Sequence, residues 1–229
     1  MPRSLRLSAV LVLLAGPALA SEEIPILSAV LEDPGAIVGS IGQDWTSTRY
    51  GQPWLLMASS GLPDYGTRTY TAGNLMDGEL ETAWVEGVPG SGLGEMITIQ
   101  APLFEDYLTD DQVYNEEGDP GIDTMPWPLI SITILNGYQA SQELWEANER
   151  VKTLLVDLNG RILCTMELED TMLPQTFDLY ELQEALGPDC PALVLDDGGF
   201  IRFEIVDVYP GTLYEDTAIS EILLIGGQG

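Results

Sequence analysis

Apolar and polar residues alternate most clearly in the second half of the chain. Residues 129–135 place three isoleucines on one face and Ser131 and Thr133 on the other. Side chains in a β-strand alternate between its two faces, so this pattern predicts a half-buried strand. The buried face is expected to consist of Ile130, Ile132 and Ile134.

A hairpin is predicted further along the chain. Residues 151–158 and 161–168 are both rich in apolar residues and flank Asn159-Gly160. Asn-Gly suits a two-residue turn because both residues tolerate the left-handed backbone conformation. The second strand of the hairpin is expected to share one face among Ile162, Cys164, Met166 and Leu168.

The remaining elements are short, and most of them have the pattern of strands. Further strands are predicted over residues 54–60, 95–100, 175–179, 200–209 and 218–225. Short helices are predicted over residues 141–148 and 180–186, the second ended by Gly187 and Pro188. About eight strands with one or two short helices, and no alternation with long helices, predict an all-β fold, a β-sandwich of the jelly-roll type.

The N-terminus has the pattern of an export signal. Arg3 and Arg6 precede the apolar run 7–14, and the small residues of Ala18-Leu19-Ala20 suit a cleavage site. We therefore predict a signal peptide over residues 1–20 and an exported protein, periplasmic or secreted. No later apolar run approaches the roughly 20 residues that span a bilayer as a helix.

The rest of the chain is predicted to contain one folded domain. Residues 21–52 have no long periodic element and are interpreted as an N-terminal lead-in, and residues 53–229 as the β-sandwich domain. Within the domain, residues 101–128 carry many carboxylates and no periodic apolar face. Long connections of this kind are often functional. We interpret the segment as a solvated acidic insertion, with a functional site as the alternative.

The charge and residue inventory exclude several classes of function. With 37 acidic and 8 basic residues the formal net charge is -29, so nucleic acid and anionic membrane surfaces are repelled at long range. Such acidity favours solubility or a preference for cations. The chain has no histidine and only two cysteines, which excludes a histidine-based catalytic triad, a histidine-ligated zinc site and a four-cysteine zinc site.

The two cysteines are predicted to form a disulfide. An even number of cysteines in an exported chain favours pairing, because oxidising compartments stabilise disulfides. The predicted bond joins Cys164 to Cys190. On the chain-entropy model it would stabilise the fold by ~3.5 kcal/mol.

Oxygen-bearing side chains cluster between residues 70 and 84. Four of them fall within nine residues, and Gly78 permits a sharp turn among them. Hard cations such as Ca²⁺ prefer clustered oxygen ligands. The alternative is a plain turn with solvated carboxylates, because Asp-Gly is a common turn dipeptide. The four residues are Asn74, Asp77, Glu79 and Thr82.

Several short motifs, taken in order, resemble a known superfamily. The chain resembles the galactose-binding-like jelly rolls, which include discoidin and coagulation-factor C-type domains, and within them most closely the translocation domain variant of NAD glycohydrolase. The resemblance covers residues 54–225. It is carried by Asn74–Trp84, Thr82–Gly87, Gly92–Glu95, Asn136–Tyr138, Asn148, Arg150–Lys152 and Asp216–Ile222.

The resemblance implies a structural calcium ion. In many domains of this superfamily a calcium ion joins the early loop to the last strand. The implied ligands here are Asp77, Thr82 and Glu221, with backbone oxygens near Asn74 and Glu79. A carboxylate from the last strand would suit a hard cation. The alternative is that these groups cap the loop through hydrogen bonds alone.

The resemblance also implies a ligand site in the loops at one end of the sandwich, where related domains bind glycans or other surface ligands. Tyrosine and tryptophan rings offer apolar faces to sugars, although Trp84 suits the core better. An alternative role for Asn136, Asn148 and Arg150 is to hold the loops together. The candidate contacts are Trp84, Glu86, Tyr138, Trp145, Arg150 and Tyr214.

The sequence therefore predicts an exported, non-catalytic module that recognises a glycan or another cell-surface ligand. Enzyme activity is not implied, since the resemblance concerns a translocation domain and the matched region leaves no catalytic domain outside it. One alternative is a protein-interaction or scaffold module that uses the acidic insertion. Another is a hydrolase with paired carboxylates, for which the abundance of acidic residues singles out no pair.

Overall fold

The computed structural model describes residues 24–32, 48–49, 52–102, 127–187, 193–196 and 198–226. This part of the chain contains fourteen strands, two short helices and one 3₁₀ segment. The helices are α1 (Gln142–Ala147) and α2 (Leu179–Leu186), and the 3₁₀ segment is Ala72–Met76. The strands are β1 (Ile26–Ser28), β2 (Val30–Leu31), β3 (Thr48–Arg49), β4 (Gln52–Pro53), β5 (Leu55–Ala58), β6 (Trp84–Val85), β7 (Met96–Gln100), β8 (Trp127–Asn136), β9 (Glu149–Leu158), β10 (Arg161–Glu167), β11 (Gln175–Asp178), β12 (Val194–Leu195), β13 (Phe200–Tyr209) and β14 (Thr217–Gly226).

The fold is a β-sandwich, which confirms the predicted class. One layer follows the order β2-β11-β8-β14, with β12 beside β8 and β6 beside β14. The other follows β9-β13-β7-β5, with β10 and β1 continuing beyond β9. At its start β14 also pairs in parallel with β9, and this short pairing joins the two layers at one end. All eight predicted strands are present, and the additional ones have only two or three residues each.

Strand β8 is buried on both faces rather than on one. Thr133 is almost wholly buried, whereas Ile130, predicted to face the core, is 45% exposed. The prediction of a half-buried strand is therefore wrong. The Thr133 hydroxyl lies 2.8 Å from the hydroxyl of Thr176 on β11, and this cross-strand pair satisfies both polar groups.

The β9–β10 hairpin has the predicted turn, but the set of residues on the buried face of β10 differs from the prediction. Asn159 and Gly160 have φ values of 53° and 85°, as a two-residue turn requires. A register shift between Ile162 and Cys164 interrupts the alternation of β10. Consequently Ile162 is 40% exposed and Leu163 is buried in its place. From Cys164 onward the predicted face points into the core.

The core lies between the layers and reaches the loop end as a second, smaller cluster. Trp84 is fully buried, and its indole Nε1 donates a hydrogen bond to the Ser60 carbonyl at 2.9 Å, so it belongs to the core. The second cluster lies under the loops that follow β5 and β8 and includes a buried tyrosine from each of them. It consists of Tyr70, Ala83, Val85, Tyr138 and Ala218.

The segments before the domain and around the cysteines are described in part. Within the predicted lead-in, β1 pairs in parallel with β10, and β2 pairs with β11, so residues 26–31 extend both layers. The predicted signal peptide and residues 103–126 of the acidic insertion lie outside the described residues. Cys164 is buried with a free thiol among the described residues, while Cys190 lies outside them, so the disulfide stays a prediction.

Candidate functional site

The loop that carries the predicted cation ligands is braced by a buried asparagine. The Asn74 amide Nδ2 donates to the carbonyls of Thr69 at 2.7 Å and Ala83 at 2.9 Å. These bonds close the loop from its two ends, across the 3₁₀ segment. The Asn74 Oδ1 lies 3.4 Å from the Thr69 hydroxyl, and the residue is buried, so its backbone oxygen is the group considered for a cation.

The centre of the loop is a tight acidic turn. Asp77 accepts a hydrogen bond from the Glu79 backbone N–H through Oδ1 at 2.9 Å. Its Oδ2 lies 2.8 Å from the Thr82 hydroxyl, which also lies 2.9 Å from the Glu79 carbonyl oxygen. Gly78 takes a φ of 79°, a conformation open to glycine. The turn alternative is thus part of the structure, and the Glu79 carboxylate itself is exposed.

Strand β14 delivers a buried carboxylate to this turn. Glu221 is almost completely buried, and its Oε1 has no hydrogen-bond partner among the described residues. Burial raises the pKa of Glu221 to about 9, helped by the negative charge of Asp77 and a hydrogen bond with it. The backbone N–H groups of Gly78 and Glu79 act in the opposite direction. The fold therefore brings together Asp77 and Glu221, which are far apart in sequence.

The oxygen set around Glu221 suits a hard cation but is short of carboxylates. Within the described part of the chain, no three Asp, Glu, His or Cys side chains form a metal-binding group. A cation beside Asp77 and Glu221 therefore also needs the Thr82 hydroxyl and backbone oxygens. The unpartnered Glu221 Oε1 is the observation that fits such a cation, because a buried carboxylate oxygen without a partner is costly.

Glu86 is buried beneath the glycine-rich segment 87–94. Its Oε2 accepts a hydrogen bond from the Val88 N–H at 2.7 Å, and its Oε1 has no partner among the described residues. Burial raises the pKa of Glu86. A Cβ on Gly92 would lie 2.5 Å from the Glu86 Cγ, so only glycine lets the segment cross here. The structure thus places Glu86 inside the molecule, away from the surface where a ligand contact was predicted.

Arg150 is also a buried, fully engaged side chain. It forms a two-pronged ion pair with Asp170, from Nε at 2.9 Å and from Nη2 at 3.1 Å. Its Nη1 donates to the Asn148 carbonyl at 2.8 Å, and the guanidinium lies over the Trp145 ring. Arg150 therefore holds α1 against β9, which is the alternative role considered for it. Its Nε, Nη1 and Nη2 atoms each donate to an acceptor of the protein, and the residue is 6% exposed.

Neighbouring asparagines and Tyr138 complete this scaffold. The Asn136 Nδ2 donates a hydrogen bond to the Val151 carbonyl at 2.7 Å, and the Asn136 Oδ1 accepts one from the Val151 N–H at 3.0 Å. Asn148 Nδ2 donates to the Leu144 carbonyl at 2.8 Å. Tyr138 is buried edge-on against Tyr70, with ring centroids 6.4 Å apart. Of the predicted contacts, Tyr138 thus belongs to the second core cluster.

Two predicted contacts, Trp145 and Tyr214, remain at the surface. Trp145 is partly exposed, and its Nε1 donates to the Asn136 carbonyl at 3.0 Å. The backbone N–H groups of Leu213 and Tyr214 both donate to the Ala147 carbonyl at the end of α1. Their side chains are nevertheless exposed, with 47% of Tyr214 accessible. We call the surface formed by the aromatic residues Trp145 and Tyr214, together with the neighbouring Leu213, the aromatic rim.

A second exposed feature was not recognised in the sequence. Tyr65 is 79% exposed on a short hairpin that it forms with Arg68, also exposed. The available signal was a glycine after an aromatic residue in an otherwise polar stretch, a pattern typical of a tight turn. The hairpin lies in the loop before Tyr70, whose ring packs against Tyr138.

A comparison with family models identifies the domain type. The model described as NAD glycohydrolase translocation F5/8 type C domain matches residues 49–115 and 125–225, most of the chain. No match was found among curated proteins. Within the described residues, none of the helices combines the length and the apolar character that a bilayer crossing needs.

Solved structures with similar folds include carbohydrate-binding modules. A module of Clostridium perfringens, CpGH89CBM32-5 in complex with GalNAc-beta-1,3-galactose, is 13% identical over 75% of this chain and 94% of its own, with a TM-score of 0.44. CBM32-3 from a family 31 glycoside hydrolase of the same organism is 14% identical over 82% and 97%, with a TM-score of 0.46. A putative chitobiase fragment of Bacteroides thetaiotaomicron is 14% identical over 76% and 88%, with a TM-score of 0.47. All three scores are below 0.5, so the assignment rests on the family match and the strand arrangement.

Proposed function

The chain belongs to the NAD glycohydrolase translocation F5/8 type C domain family, and from this premise we propose that it is an exported, non-catalytic module that binds a glycan or another cell-surface ligand. The observation that carries the proposal is the aromatic rim. Tyr214 is exposed while its backbone is fixed to α1 by a hydrogen bond of 2.9 Å. A rigid, exposed aromatic residue binds at a low entropic cost.

The scaffold behind the rim supports a binding role. Trp145 is held by Arg150 on one side and by the Asn136 carbonyl at its indole nitrogen. Gly137 contributes by close contact, since a Cβ there would lie 2.5 Å from the Trp145 Cδ1. The rim is therefore preorganised in the free protein, as expected of a site whose affinity depends on rigid aromatic contacts.

The placement of the carboxylates supports a non-catalytic role. Glycosidases need two carboxyl groups that flank a bound substrate. The carboxylates with raised pKa values, Glu86 and Glu221, are both buried, Glu86 beneath segment 87–94 and Glu221 on β14. Neither of these two carboxylates therefore belongs to the surface proposed for the ligand.

We also propose that the acidic turn holds a calcium ion. Asp77 and Glu221 would supply carboxylate oxygens, Thr82 its hydroxyl, and Asn74 and Glu79 backbone oxygens. When bound, the ion would neutralise the two facing carboxylates and give the unpartnered Glu221 Oε1 a ligand. Glu221 comes from β14 and Asp77 from the early loop. Shared ligation by these two carboxylates would therefore connect the two segments of the chain.

The ligand is to be sought on a printed glycan array, with calcium and separately with a chelator. The test variant is Tyr214→Ala, and Tyr180→Ala is the control because Tyr180 is also an exposed tyrosine, placed on α2. Loss of one aromatic contact should weaken binding about three- to tenfold. The control should bind like the unmodified protein.

The outcomes separate the proposal from its alternative. Equal binding by both variants would remove the rim as the ligand site. An absence of glycan binding, together with cell attachment that needs Tyr214 and survives glycosidase treatment, would favour a protein ligand and the interaction-module alternative.

A further inference from the structure

The hairpin of Tyr65 and Arg68 displays two exposed side chains side by side. Each residue donates its backbone N–H to the other's carbonyl, at 3.0 Å from Tyr65 and 3.1 Å from Arg68. Gly66 has a φ of 64° and Thr67 does not have a positive φ, the combination of a two-residue turn with glycine first. Residues that pair directly across antiparallel strands project to the same face. The ring and the guanidinium are therefore neighbours on a fixed support.

Arg68 differs from three other cations of the sandwich. Arg150, Lys152 and Arg202 each form an ion pair with a carboxylate of the protein. Arg68 forms no ion pair with any of the described residues, although the chain carries 37 acidic residues. An exposed guanidinium left without a partner in so acidic a protein is available for an external anion.

The hairpin adjoins the loops of the aromatic rim. Arg68 stands two residues before Tyr70, whose ring packs edge-on against Tyr138 with the centroids 6.4 Å apart. Tyr138 follows Gly137, where an added Cβ would meet both Trp145 and Arg150. The hairpin and the rim therefore lie at the same end of the sandwich.

We propose that the Tyr65–Arg68 hairpin is a specificity element that selects sugars carrying an anionic group, a carboxylate or a sulfate. Arg68 would pair with the anionic group through its forked N–H donors, and Tyr65 would lie against the sugar ring. The inference rests on the proposed function and names the substrate class of that site.

Because the protein is acidic overall, this selection of anionic ligands acts only at short range. A net charge of -29 repels anions at a distance. At physiological ionic strength this repulsion decays over a Debye length of roughly 8 Å, so it is largely screened at greater distances. Direct contact with the hairpin then determines which anionic ligand binds. A polyanion that lacks a sugar ring to pack against Tyr65 would not be selected.

The test compares matched glycans on one array: neutral glycans and their uronic-acid and sulfated counterparts. The variant is Arg68→Gln, and Arg161→Gln is its control because it removes the same charge at the other end of β9, beside Leu158. The unmodified protein and the control should bind the anionic members about tenfold or more better than the neutral ones. Arg68→Gln should bind both members alike, and Arg68→Lys should restore part of the preference. The carboxylated and sulfated arms show which anion is chosen.

Each result has a defined meaning. An anionic preference that Arg68→Gln abolishes, with neutral binding unchanged, supports the inference. Neutral binding without any anionic preference, or a preference that survives Arg68→Gln, overturns it and leaves the proposed function standing. An absence of binding to every glycan overturns the inference and also the assignment of a glycan as the ligand in the proposed function.

Discussion

The guanidinium carbon of Arg150 lies 4.5 Å from the centroid of the Trp145 ring. The same guanidinium is paired with Asp170 and with the Asn148 carbonyl, so one buried cation connects helix α1, strand β9 and the loop after β10. A buried, forked ion pair of this kind depends on its geometry as well as its charge. Its replacement by another cation is therefore informative.

Arg150→Lys should lower the free energy of unfolding by roughly 1–3 kcal/mol. Lysine keeps the charge but cannot bond Asp170 with two prongs and still reach the Asn148 carbonyl. Urea denaturation measures the change. Arg202→Lys is the control, since Arg202 is partly exposed where it pairs with Asp157, and it should cost less than about 1 kcal/mol. Equal losses in the two variants would contradict the role assigned to Arg150.

Gly92→Ala should destabilise the protein by more than Gly90→Ala. Both glycines have positive φ values, 63° and 96°, so each alanine carries a backbone cost of about 1–2 kcal/mol. Only at Gly92 would the added Cβ meet Glu86, at 2.5 Å from its Cγ. We expect a further loss of about 1–3 kcal/mol there, measured by thermal melting of the pair. A difference near zero would mean that segment 87–94 does not pack on Glu86 in solution.

Glu221→Gln should change how stability depends on pH in the presence of a chelator. The pKa of Glu221 is about 9 in the folded protein, above its ordinary value of 4.5. Folding therefore favours the protonated form, whose stabilising contribution is complete below about pH 4.5 and is lost as the pH rises to about 9. Glutamine mimics the protonated acid. The melting temperatures of the two proteins should agree near pH 4.5, and the variant should be the more stable at pH 8–9.

Calcium provides the second arm of this experiment. At pH 8, added calcium should raise the melting temperature of the unmodified protein, because a ligand that binds only the folded state stabilises it. Glu221→Gln should show little response. Parallel pH profiles in chelator would contradict the buried carboxylate, and an equal calcium response in both proteins would contradict the proposed ligand set.

The disulfide prediction can be checked by counting thiols. The denatured, unreduced protein should contain no free thiol if Cys164 and Cys190 are paired, and two thiols would refute the bond. After mild reduction, Cys164 should stay unreactive in the folded protein at pH 8, because burial raises its pKa to about 12. Thiolate, the reactive form, is then scarce.

The positions of the strands in the second half were predictable because the local signals there agree with the fold. Asn159-Gly160 forms the expected turn, and Phe200–Tyr209 is a strand over the residues predicted. The direction of side chains was less predictable. The register shift after Ile162 exchanges that residue for Leu163 on the buried face, and such a bulge depends on the partner strand rather than on local sequence.

The candidate site was likewise predictable only in part. The resemblance led to Asp77 and Glu221, which the fold does bring together. It gave no information on which polar side chains are structural, because Glu86 is buried by the crossing of segment 87–94 and Arg150 by its packing on Trp145 and Asp170, which local sequence patterns do not reveal. Tyr65 and Arg68 were missed because a single glycine in a polar stretch has many interpretations, and their exposure is visible only once the hairpin is built.

Strand β14 contacts both layers of the sandwich, pairing with β8 and β6 and, at its start, with β9. Every other strand among the described residues precedes it in the sequence and is synthesised before it. Until residues 217–226 leave the ribosome, β8 has an open edge and the acidic turn lacks Glu221. The sandwich should therefore acquire its final cooperativity late in synthesis, and a nascent chain that ends before Thr217 is expected to be protease-sensitive and prone to associate through that edge.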